Sequence, residues 1–205
     1  MINSPTPSMA YLQDLHDLLK EIISLFANKK DHSTNKNIMN IHPGGKQTLQ
    51  VYECVLEGKK VAVKIYKPIL THLIVHTIAT EYIMSNIDYF NTALDKPLTL
   101  HMPRILALGY TASNSLLSQV SILIQEWVDN GQEIYKQFPQ DHVKIIRSIV
   151  KKLTTENGLM VDIMGKNWLK TEKNHLEYID LVLFNPKGPI VKKIKKLATD
   201  LNFHF

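Results

Sequence analysis

A single lysine inside an apolar strand constrains this chain more than any other feature. The segment Val61 to Tyr66 reads Val-Ala-Val-Lys-Ile-Tyr, and its small, β-branched and aromatic residues predict a strand with at least one buried face. Gly58 before it predicts a turn, and Pro68 after it predicts the end of the strand. Because an ammonium group is costly to bury without a partner, Lys64 must either face solvent or pair with an anion.

Composition narrows the class of protein. The 205 residues are 44% hydrophobic and 21% charged, a globular composition large enough for one domain or two small lobes. The net charge of +5 suits phosphate-bearing ligands or an acidic surface but is too weak to indicate nucleic-acid binding. The single cysteine, Cys54, excludes an intramolecular disulfide and favours a reducing, cytoplasmic compartment. No apolar run approaches the ~18 residues of a transmembrane helix, and residues 1–8 do not read as a signal peptide.

Apolar periodicity predicts an α+β chain with two lobes. The predicted regions are an N-terminal helical extension (1–37), an N-lobe of antiparallel strands and one helix (38–128), and a minimal, mostly helical C-lobe (129–205). The helix of the N-lobe is expected over 71–91, with an apolar stripe formed by Ile74, Ile78, Tyr82 and Ile83.

Polar residues recur downstream of Lys64 on elements of different types. Glu81 lies in the predicted helix, and the segment Ile-Gln-Glu-Trp-Val-Asp-Asn-Gly at 124–131 ends a predicted strand. Asp162-x4-Asn167 and Asp180 then lie in the two arms of a predicted strand pair. Asp180 stands between Ile179 and Leu181, where a buried carboxylate needs a partner such as a metal ion.

In order and spacing, these segments resemble the protein-kinase-like superfamily in a reduced form. Val61 to Lys64 resembles the Val-Ala-Ile-Lys strand of the family, and Glu81 stands where the helix glutamate that pairs with this lysine is found. The segment at 124–131 resembles the hinge that holds adenine through backbone groups. The resemblance covers about residues 41–186 and implies a two-lobed kinase-like fold that binds ATP.

The two downstream motifs resemble the catalytic part of that family. Asp162-x4-Asn167 has the spacing of His-Arg-Asp-x4-Asn, and Asp180 stands where the aspartate of Asp-Phe-Gly does. Phosphoryl transfer needs neutralised phosphates and an aligned hydroxyl group, and carboxylate and amide oxygens suit Mg2+. The roles that the resemblance implies are phosphate binding by Lys64, positioning of Lys64 by Glu81, general base catalysis by Asp162, Mg2+ binding by Asn167 and Asp180, and nucleotide contacts by Gly44, Gly45, Lys46, Glu126 and Val128.

The chain also departs from the family pattern. Met160-Val161 replaces His-Arg, which removes the arginine that would receive a phosphorylated activation loop. Leu181-Val182 replaces Phe-Gly, and Gly44 is kept at the first position of the glycine-rich loop while Lys46 and Leu49 occupy the other two. Only 25 residues follow Asp180, so we expect the peptide-docking platform to be either absent or rebuilt from the N-terminal helix and the basic C-terminal segment. These departures favour a minimal kinase, comparable in size to small atypical and lipopolysaccharide-sugar kinases.

Three functions stay open at this point. The first is an ATP- and Mg2+-dependent phosphotransferase acting on an unknown hydroxyl acceptor, which could be a protein, a sugar or a small molecule. The second is a pseudokinase or nucleotide-binding interaction module, and the third is a basic scaffold without a nucleotide. The lysines at 192, 193, 195 and 196 form either a solvated helix face or a surface for an acidic partner. The nine histidines are scattered along the sequence, and we assign no metal to them.

Overall fold

The structure is a computed structural model that describes residues 9–28, 35–45, 48–67, 69–94, 97–111, 120–137 and 141–184. The chain is α+β, as predicted, and divides into two units. Unit 1 is drawn from residues 1–70 and 105–127, and unit 2 from residues 71–104 and 128–205. Within the described ranges, no helix combines the length and the apolar character that crossing a membrane requires.

The helices and strands are numbered in chain order. They are α1 (Met9–Ala27), β1 (Ile38–Pro43), β2 (Thr48–Leu56), β3 (Lys59–Tyr66), α2 (Leu70–Ser85), α3 (Ile87–Asn91), β4 (Thr99–His101), β5 (Ile105–Thr111), β6 (Val120–Glu126), β7 (Gln132–Glu133), α4 (Ile134–Gln137), α5 (His142–Lys151), β8 (Leu159–Met160), β9 (Trp168–Lys170), β10 (His175–Tyr178) and β11 (Leu183–Phe184). A π-helical turn (Lys152–Glu156) follows α5, and a 3-10 turn (Gly165–Asn167) precedes β9.

Unit 1 is built on a five-stranded antiparallel sheet in the order β1-β2-β3-β6-β5. The strand with the lysine, β3, is therefore the central strand. Glu57 and Gly58 connect β2 to β3 with φ angles of 49° and 74°. Positive φ at both positions is the conformation that a two-residue hairpin turn requires, so the predicted turn at Gly58 is confirmed.

Helix α1 packs on one face of this sheet. Its residues Leu18, Ile22 and Leu25 recur at intervals of three and four and are buried, so α1 is an amphipathic helix within the helical region predicted at the N-terminus. The sheet residues buried in the same cluster include Tyr52, Cys54, Val61, Val63, Ile65, Ile122 and Ile124. The helix of the N-terminal extension predicted over 1–37 thus contributes to the core of unit 1.

Unit 2 contains a four-stranded sheet in the order β4-β10-β9-β7 and a short antiparallel pair, β8 with β11. In the larger sheet β10 pairs with β4 in parallel and with β9 in antiparallel orientation. The core joins residues from distant parts of the chain, namely Ala79, Ile83, Phe90, Leu100, Met102, Ile146, Ile149, Leu153, Leu159, Trp168, Leu176, Tyr178 and Val182.

This core changes the predicted division of the chain. Residues 71–104 group with 128–205 and interrupt the N-lobe that was predicted to run from 38 to 128. The physical reason is that α2 buries Ala79 and Ile83 in the core of unit 2, a long-range contact that no local pattern indicates. The second predicted boundary, between 128 and 129, lies one residue from the observed division between Trp127 and Val128.

The buried face of α2 also differs from the predicted stripe. Ile74 is 38% exposed, whereas Leu73, His76, Thr80 and Ile83 are buried. Because apolar and polar residues are both distributed around this helix, the spacing of its apolar residues does not define one face.

Candidate active site

Asp162, Asn167 and Asp180 come together in unit 2. The side-chain amide of Asn167 donates one hydrogen bond to Asp162 Oδ2 (3.0 Å) and one to Asp180 Oδ2 (3.2 Å). Asn167 is buried, Asp180 is half-buried and Asp162 is exposed. Two carboxylates from different segments are therefore held beside one shared donor.

Two short strand pairs bring the three residues together. Asp162 follows β8 and Asp180 precedes β11, and these strands pair with Leu183 opposite Met160. Asn167 directly precedes β9, which pairs with β10. Asp162 therefore lies in the irregular segment between β8 and β9, and Asp180 lies in the one between β10 and β11.

The backbone around Asp162 is fixed by two buried aromatic side chains. The Asp162 N–H donates to Tyr178 Oη (2.9 Å), and the Asp162 carbonyl accepts from Trp168 Nε1 (2.9 Å). The two rings contact each other with centroids 4.7 Å apart. Asp162 Oδ1 also accepts from the N–H of Met164 (2.9 Å), which closes a local turn. Trp168 lies in the core of unit 2, and it also orients Asp162.

The backbone on both sides of Asp180 is held by hydrogen bonds. Tyr178 Oη donates to the carbonyl of Leu181 (3.2 Å), and the N–H of Ile179 donates to the carbonyl of Asn167 (3.0 Å). The N–H of Val182 donates to Nδ1 of the buried His76 on α2 (3.1 Å). This hydrogen bond ties the backbone of Val182 to α2. His76 was not singled out from the sequence, because α2 has no well-defined apolar face.

Lys64 is buried in the middle of the sheet of unit 1. It lies opposite Val51 of β2 and Leu123 of β6 and is 8% exposed. The interpretation of Lys64 as a solvated residue on an edge strand is therefore wrong. Its neighbours Val63 and Ile65 point into the core shared with α1, so alternation places Lys64 on the opposite face.

A second charged residue is buried on the same face. Glu53 of β2 lies opposite Ala62, two positions from Lys64 on β3. Its carboxylate accepts from Asn40 Nδ2 (2.6 Å) and lies 3.2 Å from Lys60 Nζ. The hydrogen bond from Asn40, followed by that from Lys60, holds the pKa of Glu53 below its ordinary value against the opposing effect of burial. This face of the sheet therefore holds buried charge, whereas the α1 face is apolar.

Glu81 lies on α2 in unit 2, and its side chain is exposed. Lys64 belongs to unit 1, and the pairing of Lys64 with Glu81 stays a prediction. The predicted hinge spans the end of β6, which finishes at Glu126. The N–H of Trp127 donates to the carbonyl of Lys60 (3.3 Å). The nucleotide contacts expected of Glu126 and Val128 also stay predictions.

The two glycines of the predicted phosphate loop serve the turn itself. A Cβ atom on Gly44 would collide with the carbonyl of Thr48 and with the backbone of Leu49, so this position requires glycine. The N–H of Gly45 donates to the same Thr48 carbonyl (2.6 Å) and is thereby engaged within the turn. Lys46 and the lysines at 192–196 lie outside the described residues.

Comparison with known proteins does not assign a family. No protein-family model matches the chain, and a search of curated proteins returned no significant match. The resemblance to the kinase-like superfamily therefore remains an interpretation of the motifs and of the geometry that joins three of their residues.

Proposed function

We propose that this chain is a phosphotransferase that transfers the γ-phosphate of ATP to a hydroxyl acceptor with Mg2+. One observation carries the proposal, namely the convergence of Asp162, Asn167 and Asp180 on a shared hydrogen-bond donor. Phosphoryl transfer requires that phosphate charge be neutralised and that the acceptor hydroxyl group lose its proton at the same site. Fixed polar groups of this kind can serve both purposes.

The residues present fit a magnesium ion. Asp180 offers carboxylate oxygens and Asn167 a carboxamide oxygen, which are the hard donors that Mg2+ prefers. These two residues would hold the metal, and bound Mg2+ would neutralise phosphate charge. Asn167 keeps the Asp180 carboxylate oriented through the bond from its amide nitrogen (3.2 Å).

Asp162 is the residue suited to accept a proton. Its side chain is exposed to an incoming acceptor, while the hydrogen bonds of Trp168 and Tyr178 fix its backbone. A carboxylate that is fixed in this way can orient the acceptor hydroxyl group and take its proton. The arginine that commonly precedes this aspartate is replaced by Val161. We therefore propose a site whose aspartate is oriented by core aromatic residues, without a phosphorylated activation loop.

Lys64 supplies the positive charge in this proposal. Lys64 lies on the central strand of the sheet and is 8% exposed, so its side chain is held in place. A positively charged group in a fixed position can bind the α- and β-phosphates of ATP. Glu81 is proposed to orient Lys64, and Gly44, Gly45, Glu126 and Val128 are proposed to contact the nucleotide.

The second candidate is a module that binds a nucleotide without turnover. The observation that favours it is the Gly45 N–H, which is already engaged by Thr48 and is therefore not free to cover a phosphate. Both candidates require nucleotide binding, and they differ in whether the γ-phosphate leaves.

The test measures ATP binding with and without Mg2+, and then γ-phosphate release and self-phosphorylation. Lys64→Ala should weaken ATP binding, and Asp180→Asn should remove the Mg2+ dependence and the turnover. Lys59→Ala and Asp88→Asn change exposed residues of the same types and serve as controls. Absence of binding at millimolar ATP would refute both candidates. Mg2+-dependent binding without turnover would select the second, and unchanged turnover in Asp180→Asn would refute the metal assignment.

A further inference from the structure

Two histidines and a glutamate share one face of a strand pair in unit 2. In the parallel pair of β4 with β10, His101 lies directly opposite Glu177. His175 and Glu177 are two positions apart on β10, so their side chains leave the strand on the same side. The three side chains are brought together by the pairing of segments more than seventy residues apart in sequence.

The three side chains converge on a single point. His101 Nδ1 lies 2.8 Å from Glu177 Oε2, and His175 Nδ1 lies 3.6 Å from Glu177 Oε1. One ligand atom from each residue lies within 4.8 Å of the other two. The imidazole rings are stacked, with centroids 5.0 Å apart and an interplanar angle of 20°. Each ring therefore turns the same nitrogen toward the carboxylate.

Burial makes this carboxylate an unusual group. The side chain of Glu177 is 7% exposed, whereas each imidazole is 34% exposed. A buried carboxylate needs compensating positive charge or hydrogen-bond donors. A divalent cation among the three side chains supplies that charge while both imidazoles stay neutral. The exposed parts of the imidazoles leave an approach for the ion and room for a further ligand.

We propose that His101, His175 and Glu177 form a binding site for a divalent transition metal, with Zn2+ as its occupant. Two imidazole nitrogens and one carboxylate oxygen are a donor set used by zinc sites with three protein ligands and one open position. Ligand atoms around a tetrahedral Zn2+ are about 3.4 Å apart. Here the two imidazole Nδ1 atoms lie 2.8 and 3.6 Å from different oxygens of Glu177, and one ligand atom from each residue lies within 4.8 Å of the other two. Coordination therefore requires only small side-chain movements.

The chemistry separates this site from the proposed magnesium site. Nitrogen donors favour Zn2+ over Mg2+, whereas the oxygens of Asn167 and Asp180 favour Mg2+. The zinc site would clamp β4 to β10, the strand that ends at Tyr178. Because Tyr178 holds the backbone of Asp162, zinc binding should stabilise the strand on which that contact depends. This proposal does not rest on phosphotransfer.

The test uses the full chain without a histidine tag, stripped of metal by a chelator. We expect one Zn2+ per chain, visible absorption typical of four-coordinate Co2+ when Co2+ is the probe, and a rise in the unfolding temperature on addition of Zn2+. His101→Ala, His175→Ala and Glu177→Gln should each weaken Zn2+ affinity by more than about 100-fold, because even residues that only support a zinc ligand cost 10- to 100-fold. His72→Ala, which changes an exposed histidine of α2, should leave the affinity unchanged.

A variant that gains a new absorption band gives a result that loss of folding cannot produce. His175→Cys replaces one ligand with a thiolate and should add an intense thiolate-to-Co2+ charge-transfer band, which a merely structural histidine would not produce. Absence of Zn2+ binding at about ten micromolar, in a range where zinc proteins are saturated, would overturn the proposal. Zn2+ affinity that is the same in the wild type and in the three ligand variants would overturn it as well. Neither measurement involves ATP, so failure here would leave the phosphotransfer proposal untouched.

Discussion

Asn167 donates a 3.2 Å hydrogen bond from its side-chain amide to Asp180, and the same nitrogen lies 3.0 Å from Asp162 Oδ2. The amide group of Asn167 thus links Asp162, the proposed general base, to Asp180, a proposed Mg2+ ligand. The two hydrogen bonds hold the three side chains in fixed relative positions. Preorganised polar groups avoid reorganisation during the reaction.

Replacing this donor with a third acid should destabilise the protein in a way that cations relieve. In Asn167→Asp the two hydrogen bonds are lost and three carboxylates meet, which we expect to lower the free energy of unfolding by about 1–3 kcal/mol at pH 7. The loss should shrink in millimolar Mg2+ and at a pH near 4, where carboxylates become protonated. Chemical denaturation with and without Mg2+ measures this. A loss that is the same in both conditions would contradict the close approach of the carboxylates.

Tyr178 supports the Asp162 segment through its hydroxyl group. Tyr178→Phe leaves the N–H of Asp162 and the carbonyl of Leu181 without this partner in a buried place. We expect a loss of about 1–3 kcal/mol in the free energy of unfolding. Tyr89→Phe is the matched control, because the Tyr89 hydroxyl bonds to Glu156 on the exposed surface, and its loss should cost less than about 0.5 kcal/mol. Equal losses in the two variants would argue against a supporting role for Tyr178.

The single thiol should be unreactive in the folded protein. Burial, and then the charge of Glu53, raises the pKa of Cys54 to about 12. At pH 8 only about one thiol in ten thousand is then ionised, and the side chain is fully buried. We expect labelling by a disulfide reagent to be slow in buffer and rapid in denaturant. Labelling within seconds under native conditions would show that β2 opens frequently.

Local features were predictable from the sequence. The helix in the N-terminal region, the strand at Val61 to Tyr66 and the turn at Gly58 all depend on neighbouring residues, and all are confirmed. The convergence of Asp162, Asn167 and Asp180 was expected from the resemblance of their motifs to the kinase-like superfamily. Two short strand pairs between neighbouring segments produce it.

Long-range packing was not predictable in the same way. The grouping of residues 71–104 with unit 2 depends on contacts across the core of that unit. The sequence of α2 does not indicate which face of the helix makes these contacts. The parallel pairing of β4 with β10 has no turn that marks it in the sequence. His101 could therefore not be placed beside Glu177, although the alternation of His175 and Glu177 on one strand was a signal that could have been read.

The buried Glu53 carboxylate should contribute stability that is lost in acid. Its pKa is lowered in the folded protein, mainly by the hydrogen bond from Asn40, so the folded state binds its proton less readily than the unfolded state. The contribution of the Glu53 carboxylate to stability is fully present above the ordinary carboxyl pKa of about 4.3 and disappears as the pH falls through the lower pKa of the folded state.

Glu53→Gln should therefore lower the free energy of unfolding by about 1–3 kcal/mol at pH 7, because it removes charged hydrogen bonds to Asn40 and Lys60. Glu57→Gln, in the exposed turn, should change stability by less than about 0.5 kcal/mol. Urea denaturation of the three proteins from pH 7 to pH 3 tests this, and a difference for Glu53→Gln that stays constant or grows in acid would show that its charge does not stabilise the fold.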